Sequence, residues 1–125
     1  MPRSAVRPAL SDAAVVTTAT LRAATLLGLS NKLLARIVGV SDASVSRMGS
    51  GAFQLVPGEK PFELAVLFIR LYRSLDALVD GDETVARAWL RNPNTALGDA
   101  PLALIQTISG LVNTLAYLDA RRALA

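Results

Sequence analysis

The stretch from Asn31 to Ser50 constrains the fold of this chain more than any other, because it predicts two short helices joined by a tight turn. Ser30 can cap the first helix and Gly39 can end it, since a serine hydroxyl accepts a hydrogen bond from a free amide and glycine adopts the left-handed backbone of a helix end. Ser41 can cap a second helix over residues 42–48, which the following glycines end. Two steeply crossing helices must share one small core, and the apolar residues that fit it are Leu34, Val38, Val40, Val45 and Met48. This is the pattern of a helix-turn-helix.

In such a motif the second helix enters the major groove of DNA, with its N-terminal residues facing the base edges. Arg47, Ser44 and Ser46 would reach base edges, where arginine favours guanine, while Lys32 and Arg36 would contact phosphates beside the groove. The second helix has few cations and Asp42 faces the same way, so we expect one copy to bind weakly and a dimer to bind an inverted repeat. The residues predicted to contact double-stranded DNA are Lys32, Arg36, Ser41, Asp42, Ala43, Ser44, Ser46 and Arg47. The alternative is a motif that serves only folding or dimerisation.

The charge of the chain is unevenly distributed. Residues 1–58 carry six basic and two acidic side chains, a net charge of +4, whereas the remaining residues carry seven basic and eight acidic ones. A basic N-terminal half around a helix-turn-helix suits a polyanion, and a near-neutral second half suits a protein partner. An excess of this size is also ordinary for a globular protein, so it supports DNA binding without establishing it.

The residue inventory excludes most catalytic chemistry. The chain has no cysteine and no histidine, which removes disulfides, thiolate nucleophiles, the commonest general base and the commonest metal ligand. Its carboxylates look like cap and surface residues and form no convincing catalytic pair. No apolar run approaches the roughly 18 residues of a membrane span. We therefore expect a cytoplasmic protein that is not an enzyme, holds no metal or cofactor, takes no small-molecule substrate and does not bind a membrane.

An all-α fold is predicted from the composition, which is 52% apolar and only 5% aromatic, and from the spacing of the apolar residues. One helix is expected over residues 11–28, before the helix-turn-helix. A longer one, over residues 59–79, has an apolar face wide enough to be buried on more than one side, as a central helix or at a subunit interface. A short helix should follow over residues 82–91, and another should start at Pro101 and break at Gly110 before the last helix.

The sequence divides into three parts. Residues 1–10 contain Pro2 and Pro8 without an apolar period, and they are expected to form a flexible N-terminal arm. The helix-turn-helix domain is predicted over residues 11–57, up to a connector with two prolines and a glycine. Residues 58–125 then form a second helical domain.

The second half also carries a motif at fixed spacing, formed by Trp89, Leu90, Pro93, Asn94, Leu97 and Gly98, followed by Pro101, Leu104 and Gly110. The run PFELAVLFIRLYRSLDALVDGDETVARAWLRNPNTALGDAPLALIQTISGLVNTLAYLDA resembles the toxin-binding domain of the MbcA/ParS/Xre antitoxin family, whose members join it to an N-terminal helix-turn-helix. The resemblance covers about residues 25–122 of the sequence. It couples two regions in the expected order and is therefore more specific than either motif alone.

The resemblance implies an antitoxin of a type II toxin–antitoxin pair. Members neutralise a RES-domain toxin, an enzyme that consumes NAD or transfers ADP-ribose from it, and many repress their own operon. They are usually homodimers that bind the toxin through the C-terminal domain, with the extreme C-terminus reaching toward the toxin's active site, where a terminal carboxylate could replace a phosphate of NAD. Carried over, the toxin-binding residues are Pro93, Asn94, Gly98, Arg121, Arg122, Leu124 and Ala125.

This sequence departs from the family pattern at two places. Members often have glycine near the end, where this chain has residues 122–125 without one, so the last helix could simply continue. Ala100 precedes Pro101 where relatives often have a capping Thr or Ser, which leaves Asp99 as the only candidate cap. Two other classes stay open: a helix-turn-helix repressor with a C-terminal dimerisation or sensing domain and no toxin, and an enzyme.

Overall fold

The computed structural model of the protein describes residues 11–124; the predicted arm over residues 1–10, and Ala125, lie outside the described residues. Within this range the chain is all-α, as predicted, and none of its helices is both long and apolar enough to cross a lipid bilayer. The seven helices of the described range are α1 Asp12–Leu26, α2 Asn31–Val38, α3 Asp42–Ser50, α4 Lys60–Leu78, α5 Glu83–Arg91, α6 Pro101–Leu104 and α7 Ile108–Leu124.

Local capping sets the helix ends of the helix-turn-helix. The hydroxyl of Ser30 accepts a hydrogen bond from the Leu33 amide at 3.2 Å, and Gly39 ends α2 with a left-handed φ of 76°. Both features confirm the sequence prediction. α3 runs two residues further than predicted, through Gly49, and ends at Gly51 with a φ of 83°. A glycine inside a helix costs only about 1 kcal/mol, so Gly49 alone does not stop α3.

The two helices of the motif share the predicted core. Leu34, Val38, Val45 and Met48 are all buried, and α2 packs against both α3 and α4. The connector after α3 is anchored as well, because Leu55 is buried and its amide donates a hydrogen bond to the hydroxyl of buried Thr17 at 3.0 Å.

α4 is the central helix of the fold, one of the two roles predicted for it. It packs against α1, α2 and α7, and its side chains Phe68, Leu71 and Leu75 are fully buried. The core is therefore continuous from the helix-turn-helix to the last helix. Pro61 sits in the first turn of α4, where a missing amide hydrogen costs nothing.

The predicted helix break at Gly110 is wrong. α6 ends at Leu104, three residues bridge to α7, and Gly110 lies inside the first turn of α7. A Cβ atom at Gly110 would overlap the carbonyl group of Leu104. The glycine therefore permits a close approach of two backbone segments, which a sequence pattern does not distinguish from a helix stop.

Candidate functional surfaces

The helix-turn-helix exposes one face, which we call the α2–α3 face, formed by Lys32, Arg36, Asp42, Ala43, Ser46 and Arg47. Val45 and Met48 point away from it into the core. Lys32 and Arg36 lie one turn apart on α2, and Arg47 lies in the last turn of α3. None of these three cations forms an ion pair within 4 Å with another residue in the range 11–124. Their positive charges are therefore available to an anionic ligand.

The remaining two predicted DNA contacts, Ser41 and Ser44, are committed to the start of α3. The hydroxyl of Ser41 accepts a hydrogen bond from the Ser44 amide at 3.0 Å and donates one to the Ser44 hydroxyl at 2.9 Å. Ser44 is also partly buried. These two serines fix where the helix begins, and Ser46 and Arg47 are the exposed polar side chains that follow them on the same helix.

The C-terminal half carries a surface cluster, the aromatic stack, formed by Trp89, Tyr117 and Arg121. The rings of Trp89 and Tyr117 are stacked, with centroids 6.4 Å apart and an interplanar angle of 21°. The guanidinium carbon of Arg121 lies 5.6 Å from the centroid of the Tyr117 ring, within the range of a cation–π interaction. The stack joins α5 to α7 and leaves both rings partly exposed.

Trp, Tyr and Arg are the residue types that most often dominate the binding energy of protein interfaces. Arg121 was among the residues predicted to bind the toxin, whereas Tyr117 was not. The spacing carried part of the signal, because residues four apart on a helix share a face and Tyr117 therefore lies beside Arg121. It did not place Tyr117 beside Trp89, which lies on another helix.

The loop before α6 is built by two of the predicted toxin-binding residues. The side-chain oxygen of Asn94 accepts a hydrogen bond from the Leu97 amide at 3.1 Å, and its carbonyl accepts one from the Gly98 amide at 2.8 Å. Gly98 has a φ of 91°, which favours glycine. Both residues therefore shape the loop, while Pro93 lies exposed at its start. No side chain caps α6, although Asp99 accepts a hydrogen bond from the Ala100 amide.

The end of α7 separates the predicted tail residues. α7 stays helical as far as Leu124, whose side chain is 85% exposed. Arg122, in contrast, points back to its own domain and donates a hydrogen bond to the hydroxyl of buried Ser74 at 3.1 Å. That hydroxyl donates in turn to Asp119 at 2.6 Å. Arg122 therefore holds α7 on α4, and Arg121 and Leu124 remain on the accessible side.

Two arginines of α5, Arg87 and Arg91, form what we call the arginine clamp. Arg87 donates a hydrogen bond to the carbonyl of Leu26 at 2.9 Å, and Arg91 donates to the carbonyls of Leu27 and Gly28 at 3.2 and 2.9 Å. Carbonyls at a helix C-terminus lack partners within the helix and attract cations. The clamp therefore ties the second half of the chain to the segment that enters the helix-turn-helix.

A groove of about 370 Å³ lies between α1 and α4, with Val15 and Ile69 among its apolar lining residues and Arg22 and Tyr72 among its polar ones. Burial, and to a lesser extent the nearby carboxylate of Asp76, raises the pKa of the Tyr72 hydroxyl above its usual value. The hydroxyl therefore remains a neutral hydrogen-bonding group near pH 7.

In the described part of the chain, no three Asp, Glu, His or Cys side chains come together as metal ligands would.

Two models of known protein families match this chain, one in each half. A family model described as the antitoxin Xre-like helix-turn-helix domain matches residues 7–70, just over half of the chain. A second, described as the antitoxin Xre/MbcA/ParS C-terminal toxin-binding domain, matches residues 74–123. No curated protein matches the chain. The first match contains the α2–α3 face, and the second contains the aromatic stack, the loop before α6 and nearly all of α7.

Proposed function

This chain belongs to the family of Xre-like antitoxins, and from that premise we propose that it inhibits a RES-domain toxin and represses its own operon as a homodimer. It is an antitoxin of a toxin–antitoxin pair, with a helix-turn-helix and a toxin-binding domain in one polypeptide. We assign DNA binding to residues 11–57, and toxin binding with dimerisation to residues 58–125. The observation that carries the toxin-binding assignment is the aromatic stack, one turn before exposed Leu124.

The proposed mechanism of inhibition uses the end of α7. RES-domain enzymes bind NAD, so their active site must offer positive charge or hydrogen-bond donors to its phosphates. The C-terminal end of a helix is partially negative and would therefore compete with the phosphates of NAD for such a site. In this mechanism Leu124 and Ala125 enter the pocket, Arg121 contacts its rim together with Pro93, and Arg122 orients the helix through Ser74.

Asn94 and Gly98 contribute to the same proposed surface by holding the loop in shape. Their hydrogen bonds and the left-handed backbone of Gly98 are made within the loop, so their side chains need not touch the toxin. In our proposal the loop presents Pro93 beside the aromatic stack, four residues after Trp89.

Co-purification tests the toxin partner directly. The chain is expressed with an affinity tag together with a RES-type protein encoded beside it, and the pair is expected to elute together and to restore growth that the toxin alone arrests. A chain that neither retains the toxin nor restores growth contradicts the proposal and leaves a repressor without a toxin partner as the better description.

For DNA, we propose that the α2–α3 face binds an inverted repeat upstream of the operon. Lys32 and Arg36 contact phosphates, while Ser46 and Arg47 reach base edges. The start of α3, with Ser41, Asp42, Ala43 and Ser44, enters the major groove. Phosphate contacts make binding weaken as salt rises. Two copies on a symmetric site compensate for the single arginine on each recognition helix.

Arg47→Ala tests this arrangement. It is expected to cost about 1–3 kcal/mol of specific binding per contact, measured by fluorescence anisotropy on the upstream duplex and on a shuffled duplex. The matched control is Arg73→Ala, which removes an exposed arginine from α4, outside the α2–α3 face. Equal binding of the upstream duplex by Arg47→Ala and the unchanged chain would contradict the docking.

A further inference from the structure

A second apolar groove, the α4–α7 groove, lies between the first half of α4 and the start of α7, with a volume of about 440 Å³. Phe62, Val66 and Leu67 line it from α4, and Ile108 lines it from α7. Ile108 is 52% exposed, and Val112, one turn further along α7, is 44% exposed. Neither the helix-turn-helix function nor the proposed toxin surface uses these residues.

Single exposed apolar residues are normal on a protein surface, but a contiguous group of them marks an interaction site. Here two exposed β-branched residues, Ile108 and Val112, lie one turn apart on one face of α7, and Ile108 also lines a groove whose α4 side is apolar. The core of the domain does not require this exposure, because α7 already buries Leu111, Leu115 and Leu118, and Ile108 and Val112 lie along the edge of that buried stripe.

The charges at the edge of the groove indicate what covers it. Lys60 and Glu63 are both exposed on the first turns of α4, and neither forms an ion pair with another residue in the described range. A two-fold symmetric interface places the same patch of both copies face to face, so that residue i meets residue j and j meets i. A cation and an anion close together on the edge are then self-complementary, with Lys60 of each copy facing Glu63 of the other.

We propose that the α4–α7 groove is the homodimer interface, covered by the same groove of a second copy of this chain. The inference rests on the homodimer of the proposed function and adds the surface that forms it. Ile108 and Val112 pack into the facing groove, and two Lys60–Glu63 pairs close its edges.

The position of the groove leaves the other surfaces free. Ile108 and Arg121 are separated by thirteen residues of α7, or about 20 Å at the rise of an α-helix. A dimer built on the start of α7 therefore leaves the aromatic stack and Leu124 of each copy open to a toxin. It also joins two helix-turn-helix units in one symmetric molecule, as an inverted repeat requires.

The first test is the oligomeric state of Ile108→Asp and Val112→Asp, measured by sedimentation velocity over a range of protein concentrations. Each change places a charge in the apolar interface twice, once per copy, so we expect the dimer dissociation constant to rise by at least about 100-fold. Val85→Asp is the matched control, because Val85 is 48% exposed on α5 outside the groove, and it is expected to leave the constant unchanged. Circular dichroism confirms that each variant is folded.

The second test exchanges the charges and does not depend on apolar burial. Lys60→Glu and Glu63→Lys are each expected to weaken the dimer about 10-fold or more, because like charges then face each other. The double variant Lys60→Glu/Glu63→Lys restores opposite charges across the interface and is expected to restore the dimer. A double variant no stronger than the single ones overturns the proposed register.

The possible outcomes distinguish a failure of the proposed interface from a failure of the proposed function. An unchanged dimer in folded Ile108→Asp overturns the α4–α7 groove as the interface and leaves a homodimer formed elsewhere. A monomeric wild-type chain overturns both the interface and the homodimer. Toxin binding is read separately, since a monomeric Ile108→Asp chain that still retains the toxin supports two independent surfaces.

Discussion

Gly110 and Gly49 are both glycines inside helices, but their surroundings are opposite. A Cβ atom at Gly110 would collide with the Leu104 carbonyl, whereas nothing lies within 4 Å of the same atom built at Gly49. Gly110→Ala is therefore expected to lower the free energy of unfolding by about 1–3 kcal/mol through overpacking. Gly49→Ala is expected to raise it by about 0.5–1 kcal/mol, because alanine restricts the unfolded chain. Urea titration measures both, and a stabilising Gly110→Ala would contradict the close approach.

Arg121 and Arg122 are neighbours in sequence with different roles at the residue scale. Arg121 lies over the ring of Tyr117, whereas Arg122 bonds to Ser74 of its own domain. Arg121→Ala is expected to weaken toxin binding about 30-fold, the effect of an interface hot spot of about 2 kcal/mol. The free energy of unfolding should fall by no more than about 1 kcal/mol, the value of an exposed cation–π interaction. Isothermal titration calorimetry with the purified toxin measures it, and Arg73→Ala serves as an exposed control elsewhere. Equal affinity of Arg121→Ala and the unchanged chain would remove the aromatic stack from the interface.

At the scale of elements, the arginine clamp connects α5 to the end of α1. Its hydrogen bonds are charge-assisted, but all except the part-buried bond from Arg91 to Leu27 are exposed, so their stabilisation is small. Arg91→Ala is expected to lower the free energy of unfolding by about 1 kcal/mol. Arg91→Lys should restore little of it, since an ammonium does not reproduce the planar arrangement of guanidinium donors that reaches Leu27 and Gly28 together. Thermal unfolding in parallel with Arg73→Ala checks the prediction, and full stability of Arg91→Ala would contradict it.

The elements also show what the sequence could predict. Ser30, Gly39 and Ser41 act on amides and carbonyls within a few residues, so the sequence alone located the ends of α2 and the start of α3. The arginine clamp joins residues 61 to 64 positions apart. Gly110 is required because the backbone of Leu104 lies too close for a side chain. Such contacts exist only after the helices pack, and no local pattern carries them.

The candidate sites also divide into residues that the sequence could identify and contacts that form only when the helices pack. Arg121 and Leu124 were selected from the family resemblance, and the structure leaves both exposed at the end of α7. The family resemblance had also selected Arg122, but the sequence gives no sign that it bonds to Ser74, because that contact spans 48 positions. The stack of Tyr117 on Trp89 was missed for the same reason, since it joins two helices.

The whole molecule carries three separate surfaces on one continuous core. The α2–α3 face is cationic, the α4–α7 groove is apolar with self-complementary charges, and the aromatic stack with the end of α7 forms the third. Because α4 contacts α1, α2 and α7, the core holds the three surfaces in fixed relative positions. A dimer bound to DNA would thus present two toxin-binding ends.

The decisive measurement of toxin inhibition is the rate at which the purified RES-domain toxin consumes NAD as increasing amounts of this chain are added. We expect the rate to fall to background once the chain is in molar excess, and Arg47→Ala to inhibit equally well because the α2–α3 face is not involved. A toxin that continues to consume NAD at its full rate in the presence of excess folded chain would show that the chain does not inhibit it.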